Sequence, residues 1–150
     1  MSAKILAIGS DHAGYEYKEQ LRDMLAQEGY EVLNFGTDSP ASVDYPDFVH
    51  PVCEAMEKGN AQMGILLCGS ANGVAITANK HPKIRAAIAW ENEIAELARK
   101  HNDANVICIP ARFVALELAE EMVHTFLKTD FEGGRHQRRV DKIELPVAAQ

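Results

Sequence analysis

The sequence predicts an α/β protein with a doubly wound, five-stranded parallel sheet, and two observations predict this class. Short apolar runs alternate along the chain with longer segments whose apolar residues recur at helical spacing. The apolar runs contain few polar residues, which is typical of parallel strands that are buried on both faces. Strands and helices that alternate in this way form a sheet covered by helices on each side, a three-layer α/β/α sandwich.

The first three strands are indicated by apolar runs, and glycine or proline marks the helices between them. KILAIG and MGILL are nearly uninterrupted, whereas YEVLNF alternates. Leu21 and Leu25 have helical spacing, and Gly29 suits the C-cap of their helix. Pro46 suits a first helical turn, and Gly59 ends that helix. The predicted elements are a strand at 4–9, a helix at 15–27, a strand at 30–35, a helix at 46–58 and a strand at 63–67.

The second half of the chain continues the alternation. IRAAIAW and VICI are apolar runs, and a helix before the first of them is ended near Pro82. Leu116, Ala119 and Val123 lie on one stripe and predict a long amphipathic helix. The predicted elements are helices at 72–79, 91–100, 113–127 and 135–145, with strands at 84–90 and 106–109. Together they predict a Rossmann-like sheet.

The last predicted helix follows a sheet that is already complete. It has a basic first turn and a thin apolar stripe formed by Val140 and Ile143. We therefore expect this C-terminal helix to dock on a partner subunit and not on its own core.

Length, composition and charge fit one globular domain spanning residues 1–150. Of the 150 residues 47% are hydrophobic and 25% charged, and no linker or repeat divides them. The net charge of −7 disfavours nucleic acid or an anionic membrane as the main partner. We see no signal peptide and no apolar run of about 20 residues. The three cysteines lack disulfide or zinc spacing, so a cytoplasmic location is expected.

Side chains that can carry chemistry follow the predicted strands. Asp11 and His12 come after the first strand, Cys68 and Ser70 after the third, and Arg112 after the fifth. Because the carboxyl ends of parallel strands share one edge, where open sheets bind ligands, we expect these side chains to meet there.

Cys68 differs from the other cysteines in its position. Cys53 and Cys108 lie inside apolar patterns, as buried structural cysteines do. Cys68 ends its strand beside a glycine turn, and a helix N-terminus favours the thiolate form. It is a candidate base or nucleophile, with a buried structural thiol as the alternative. The turn itself, residues 69–73, lacks the lysine of a nucleotide-binding phosphate loop, so it is either an anion site or a simple strand-to-helix turn.

Two further positions carry cationic or titratable groups. His101 ends a predicted helix, where the helix dipole stabilises a charged imidazole, although a surface histidine would show the same spacing. Arg135 and Arg139 are four residues apart on one helical face and can grip a phosphate, although a solvated charge run is the usual explanation. Arg138 points elsewhere and is expected to be solvated. The role of His136 stays undecided, and we expect the remaining histidines to be structural or exposed: His50, His81 and His124.

Taken together, seven motifs of this chain resemble the B-type ribose 5-phosphate isomerases, a family that also contains the galactose 6-phosphate isomerase subunits. The resemblance runs from about Lys4 to Ile143. The motifs are Gly9-Ser10-Asp11-His12-Ala13-Gly14, Asp44-Tyr45-Pro46, Cys68-Gly69-Ser70-Ala71-Asn72-Gly73, Ala78-Asn79-Lys80, Ile84-Arg85-Ala86, His101-Asn102-Asp103-Ala104-Asn105 and Glu132-Gly133-Gly134-Arg135-His136.

The resemblance implies an aldose–ketose isomerase that interconverts ribose 5-phosphate and ribulose 5-phosphate through an enediolate. It also implies no metal or cofactor, and an active site shared between the subunits of a homodimer or tetramer. By position, Cys68 matches the catalytic base and His101 the group that opens the sugar ring, and Ser70 can move a proton between two substrate oxygens. The implied substrate contacts are Asp11, His12, Tyr45, Gly69, Ser70, Ala71, Asn72, Gly73, Asn102, Arg112, Arg135 and Arg139.

Three positions depart from the family pattern. Ala71 stands where many members have glycine, so a left-handed backbone would be strained there. Val74 stands where some members have a glutamate base, which leaves Cys68 as the base, and Ser70 replaces threonine. Two other functions stay open: an isomerase of a six-carbon sugar phosphate such as galactose 6-phosphate or allose 6-phosphate, and a non-catalytic module that binds a sugar phosphate.

Overall fold

The computed structural model describes residues 5–145 and contains a five-stranded sheet flanked by helices. A 3₁₀ turn at His12–Gly14 follows the first strand. The strands are β1 (Ile5–Ser10), β2 (Glu31–Asn34), β3 (Met63–Cys68), β4 (Ala86–Ile88) and β5 (Val106–Pro110). The helices are α1 (Tyr15–Gln27), α2 (Pro46–Glu57), α3 (Asn72–Ala78), α4 (Asn92–Asn102), α5 (Leu116–Lys128) and α6 (Arg135–Asp141).

The sheet is parallel throughout, with strand order β2-β1-β3-β5-β4, which confirms the predicted fold class. From β1 the chain runs outward to β2 and then crosses back to place β3 on the other side of β1. Ser10 and Leu67 are opposite each other in that pairing. A reversal of this kind opens a crevice at the carboxyl ends of the two strands, where doubly wound proteins bind ligands.

Alternate residues of each strand pack into two separate hydrophobic cores, one on each face of the sheet. In β3, Ile65 and Leu67 face the core formed with α1, α4 and α5, whereas Leu66 and Cys68 face the core formed with α2 and α3. Both sets are at most 5% exposed. Each buried Leu or Ile contributes about 1.5–3 kcal/mol relative to an exposed one. Because successive side chains of a strand point to opposite faces of the sheet, the burial of its neighbours determines the face on which Cys68 lies.

Element boundaries differ from prediction mainly at the ends. Residue 4, predicted as the start of the first strand, lies outside the described residues. The fourth strand is shorter than predicted because it begins at Ala86, which pairs with Val106, the first residue of β5. The fifth helix begins at Leu116, since Ala115 has an extended backbone with ψ of 155°. Among the described residues, no helix has the length and apolarity to cross a bilayer.

The last helix packs against its own chain, which corrects part of the prediction. Helix α6 contacts α4, and its residues His136 and Val140 are both 7% exposed. His136 stacks on His101 of α4, and Val140, one helical turn further on, lines a cavity with both histidines. Ile143 is 54% exposed and lies beyond the helix, which ends at Asp141. Docking on a partner subunit stays a prediction.

Candidate functional site

The loops after β1 and β3 contact each other directly. The backbone N–H of Asp11 donates to the carbonyl of Leu67 at 3.3 Å. Gly14 approaches Leu67 so closely that a Cβ on the glycine would lie 2.6 Å from the Leu67 Cβ. The carboxylate of Asp11 accepts from the backbone N–H groups of Ala13 and Gly14, at 2.9 and 3.3 Å, and so caps the 3₁₀ turn. This cap holds Asp11 at the crevice between the two strands.

His12 connects the crevice to the long loop that precedes α2. Its Nδ1 accepts a hydrogen bond from the backbone N–H of Val43 at 3.2 Å. An Nδ1 that accepts must be unprotonated, so neutral His12 carries its proton on Nε2. The ring is therefore oriented, and its Nε2–H is left as a donor.

Cys68 lies at the end of β3, where its carbonyl accepts from the N–H of Ala111 at 2.9 Å. All three thiols are buried, Cys68 with 5% exposure and the other two with none. Burial, followed by the charges of Glu57 and Glu54, raises the pKa of Cys53 to about 12. Burial also raises the pKa of Cys108 well above its usual value. Both therefore stay protonated at neutral pH, which agrees with their prediction as structural cysteines.

Ala71 adopts the left-handed backbone conformation for which strain was expected. Its φ is 67°, and Ala71 and Asp103 are the non-glycine residues with positive φ among residues 5–145. The Ala71 carbonyl accepts from Ala75 and starts α3, and the Asn72 N–H reaches the Ser70 hydroxyl at 3.3 Å. The first amides of a helix have no intrahelical acceptor. The reversal at Ala71 thus places donor amides next to Cys68.

Two glycines of the loop allow large side chains to approach it. The Tyr45 ring covers Gly73, where a Cβ would lie 2.6 Å from the ring atoms Cε1 and Cζ. The Arg112 side chain covers Gly69, where a Cβ would lie 3.2 Å from Cδ and Nη1. The structure thus gathers one group at the carboxyl edge of the sheet, called here the carboxyl-edge cluster: Asp11, His12, Tyr45, Cys68, Gly69, Ser70, Ala71, Asn72, Gly73 and Arg112.

The other predicted site residues lie together elsewhere. His101 and Asn102 are the last residues of α4, which Asp103 ends with a left-handed φ of 47°. The carboxylate of Asp103 accepts from Arg99 and Arg85 at 2.9 and 3.1 Å, and these bonds hold the helix end. A cavity of about 300 Å³ is lined by His101, Asn102, His136, Arg139, Val140 and Ile143.

Arg135 and Arg139 are exposed one turn apart on α6, as the spacing predicted. With His101 and Asn102 they form what we call the amino-edge cluster. Arg139 shares the cavity with the end of α4, so its side chain and the imidazole of His101 face a common space.

The two clusters lie at opposite edges of the sheet within one chain. Cys68 is paired with Pro110, the last residue of β5, whereas His101 precedes the first residue of that strand, Val106. At about 3.3 Å per residue, β5 alone separates the edges by roughly 13 Å. One chain therefore does not bring Cys68 and His101 together.

Sequence reasoning missed two groups of histidines. His136 stacks on His101 with ring centroids 4.2 Å apart, and its Nε2 is 3.3 Å from the Glu132 carboxylate. His81 has partners that the sequence did not indicate: its Nδ1 is 2.8 Å from Glu57 and its Nε2 is 2.7 Å from His50. His50 and Glu57 are seven residues apart on one helix face, but nothing local predicts that a loop brings His81 to them. His124, as expected, is a surface residue and pairs with Glu28.

Lys18 is a buried cation that no sequence pattern indicated. It is fully buried, and its Nζ donates to Glu19 at 2.6 Å and to the Asn34 side chain at 3.0 Å. The same Asn34 oxygen accepts from the N–H of Gly36. Lys18 therefore supports the start of the loop that His12 also contacts.

Comparison with known proteins identifies the relatives of this chain. A family model described as Ribose/Galactose Isomerase matches residues 6–143. Ribose-5-phosphate isomerase B of Escherichia coli is 42% identical over 93% of this chain and 94% of its own length. The solved structure of the Clostridium thermocellum ribose-5-phosphate isomerase B is 48% identical, with a TM-score of 0.91 over 93% of this chain and 94% of that one. The Mycoplasma genitalium enzyme, solved with bound ribulose-5-phosphate, is 40% identical, with a TM-score of 0.89 over 93% of each chain.

Substitutions at Ala71 test the left-handed turn. In Ala71→Gly, relief of about 1–2 kcal/mol of backbone strain opposes the loss of about 0.8 kcal/mol of methyl burial and about 0.5–1 kcal/mol of chain entropy. The free energy of unfolding should therefore stay within about 1 kcal/mol of the parent. Ala71→Val adds a β-branched residue at a fully buried position and should cost at least about 2 kcal/mol. Urea denaturation measures the free energy of unfolding of both variants. A valine variant as stable as the parent would contradict the left-handed conformation at Ala71.

Proposed function

The chain belongs to the ribose/galactose isomerase family, and from this premise we propose that it interconverts ribose 5-phosphate and ribulose 5-phosphate as an aldose–ketose isomerase. The relatives support this reaction, since they include ribose-5-phosphate isomerase B enzymes and one solved with ribulose-5-phosphate. The observation that carries the proposal is the position of Cys68, a thiol at the β1/β3 crevice beside amides turned by Ala71.

In the proposed reaction Cys68 is the general base. Its thiolate removes the proton from C2 of the open-chain aldose, and the resulting thiol returns a proton to C1. Negative charge develops on oxygen in the enediolate between these steps. The backbone amides of residues 69–73 are the donors for that charge, and losing one such donor typically costs about 10²–10³ in rate. The positive φ of Ala71 supports this assignment because it turns the amides at the start of α3.

Polar groups around the thiol complete the proton transfers. Ser70 is exposed beside Cys68, and its hydroxyl can carry a proton from one substrate oxygen to the other. Asp11 and the Nε2–H of His12 are fixed at the same crevice by backbone hydrogen bonds and suit the hydroxyl groups of the sugar. Tyr45 covers the loop at Gly73 and limits the access of water.

We assign ring opening and phosphate binding to the amino-edge cluster of a partner subunit. A sugar phosphate is mostly cyclic, so an acid–base group must open it, and His101 suits this role. Arg135 and Arg139 have the spacing to hold a phosphate together, with Asn102 and Arg112 as further contacts. Because one chain separates Cys68 from His101 by the height of the sheet, a complete site requires two chains in a homodimer or a larger assembly. No step needs a metal or a cofactor.

A second function within the same chemistry is isomerisation of a six-carbon sugar phosphate. The description of the matching family includes galactose as well as ribose, which favours keeping this alternative. The same base and amides would serve both reactions, and only the space between thiol and phosphate would differ.

The first experiment measures kcat/KM with ribose 5-phosphate, allose 6-phosphate and galactose 6-phosphate under identical conditions. We expect the highest value with ribose 5-phosphate. A higher value with a six-carbon substrate would identify the alternative isomerase. Binding without turnover of any of the three would identify a non-catalytic module.

Replacement of Cys68 tests the base. Cys68→Ala should lower kcat at least about 10²-fold and leave substrate binding near normal, because alanine keeps the loop but cannot take the proton. Cys53→Ala is the matched control, since that thiol is buried and protonated in the same core. Cys53→Ala should retain turnover below its unfolding temperature. Substantial turnover by Cys68→Ala would refute the assignment of Cys68 as the base.

Subunit mixing tests the shared site. Cys68→Ala and His101→Ala should each be inactive on cyclic substrate. Co-refolding equal amounts should restore about one quarter of the parent activity, because half of the dimers are mixed and each then has one intact site of two. If each site lay within one chain, every site in the mixture would carry a substitution and activity would not return.

A further inference from the structure

Three metal-binding side chains converge at the junction of α4 and α6. Their ligand atoms, on His101, Glu132 and His136, all lie within 4.8 Å of one another. The Glu132 carboxylate oxygen is 3.3 Å from Nε2 of His136 and 3.9 Å from Nε2 of His101. In a tetrahedral zinc site, ligand distances of about 2.0–2.1 Å put neighbouring donor atoms roughly 3.3 Å apart. The pair formed by Glu132 and His136 already has this spacing, and the distance from Glu132 to His101 exceeds it by about 0.6 Å.

Backbone hydrogen bonds hold the three residues, though not their rings, in place. The N–H of Glu132 donates to the carbonyl of Lys100 at 3.1 Å, which ties the segment before α6 to the last turn of α4. The N–H of His136 donates to the Gly133 carbonyl at 3.0 Å and starts α6. The groups are therefore gathered by the fold before any ion arrives, which lowers the entropy lost on binding.

The cluster is open on one side. The side chains of His101 and Glu132 are 42% and 49% exposed, whereas that of His136 is 9% exposed. His101 and His136 also line the cavity of about 300 Å³ described above. One buried ligand, two reachable ligands and an adjacent space leave a fourth coordination position for water or for an oxygen of a small molecule.

We propose that His101, Glu132 and His136 form an inhibitory zinc-binding site. Two imidazoles and one carboxylate suit Zn²⁺ and related transition metals, whereas Mg²⁺ and Ca²⁺ prefer oxygen ligands alone. Arg139 lines the same cavity and Arg135 adjoins His136, so their positive charges weaken the attraction for a dication. The site therefore binds zinc reversibly, and more weakly than a structural zinc site does.

Zinc binding must rearrange the two imidazoles. Their rings are stacked, with planes 13° apart and centroids separated by 4.2 Å. Because a ring nitrogen binds a metal in the plane of its ring, at least one ring must rotate out of the stack for both to share one ion. Binding consequently exchanges the stacking contact for two metal–nitrogen bonds.

The other group of two histidines and one glutamate does not have this arrangement. His81 uses Nδ1 for Glu57 and Nε2 for His50, at 2.8 and 2.7 Å, so the three side chains form a line. No common point is within reach of all three ligand atoms. That group therefore provides an internal control.

The inhibitory effect, unlike binding, rests on the proposed function. Zinc occupies the Nε2 lone pair of His101, which ring opening requires. Zinc should therefore slow conversion of cyclic substrate, and removal of zinc by a chelator should restore the rate. Because the isomerisation itself needs no metal, a chelator alone should leave the activity unchanged.

The test measures binding before activity, on the full-length protein. Calorimetric titration with Zn²⁺ should give one site per chain, and Co²⁺ used as a probe should produce the visible absorption of a tetrahedral site. Glu132→Gln and His136→Asn should each weaken binding by at least about 10-fold, since even an outer-shell partner is worth about 10–100-fold in metal affinity. His50→Asn is the control and should bind zinc like the parent.

Circular dichroism verifies that each variant is folded, and the exposed position of Glu132 makes Glu132→Gln the decisive one. The proposal is overturned by absence of zinc binding in the parent, by binding that Glu132→Gln and His136→Asn leave unchanged, or by binding lost in His50→Asn. If zinc binds as described but the protein lacks isomerase activity, the zinc site stands and the proposed function fails.

Discussion

The parallel pairing of β1 with β3 is the constraint on which the carboxyl-edge cluster depends. Because these strands lie side by side, Ser10 is opposite Leu67, and the chain leaves both strands at the same height. The loops that follow are then near enough for Asp11 to bond to Leu67 and for Gly14 to pack on it. A shift of one residue in this pairing would move Cys68 to the other face of the sheet. The burial of two separate cores makes that shift costly and so holds the thiol in place.

The same architecture explains why the chemistry is divided between two edges. In a parallel sheet each helix runs back from the carboxyl edge to the amino edge, so a residue at the end of α4 is remote from the end of β3. His101 therefore belongs to a different surface from Cys68, where α6 covers part of it. The proposed reaction requires both ring opening and proton transfer at carbon, and for that reaction this division favours assembly of two chains over a rearrangement within one.

Comparison of particular residues shows where sequence reasoning succeeds. The position of Cys68 at a strand end was predictable because it depends on a few adjacent residues. The strain at Ala71, which has a positive φ, was anticipated only from the resemblance, because many family members have glycine there. The partners of His81 and His136 were not predictable, because their neighbours are brought close by packing between distant segments. Burial of Lys18 was not predicted either, since an isolated lysine in an amphipathic helix is usually exposed. Its contacts with Glu19, Asn34 and the Tyr15 ring stabilise the buried ammonium.

The sequence by itself determined the order and type of the elements, the fold class, the family resemblance and the residues that carry chemical groups. These follow from hydrophobic periodicity, from glycine and proline positions and from motifs, all of which are local along the chain. Only the tertiary structure decided which groups meet. It placed Asp11 beside the β3 loop, set His101 apart from Cys68, and stacked His136 on His101 near Glu132. The physical reason is that strand order and helix packing arise from contacts between residues far apart in sequence, and no local pattern records such contacts.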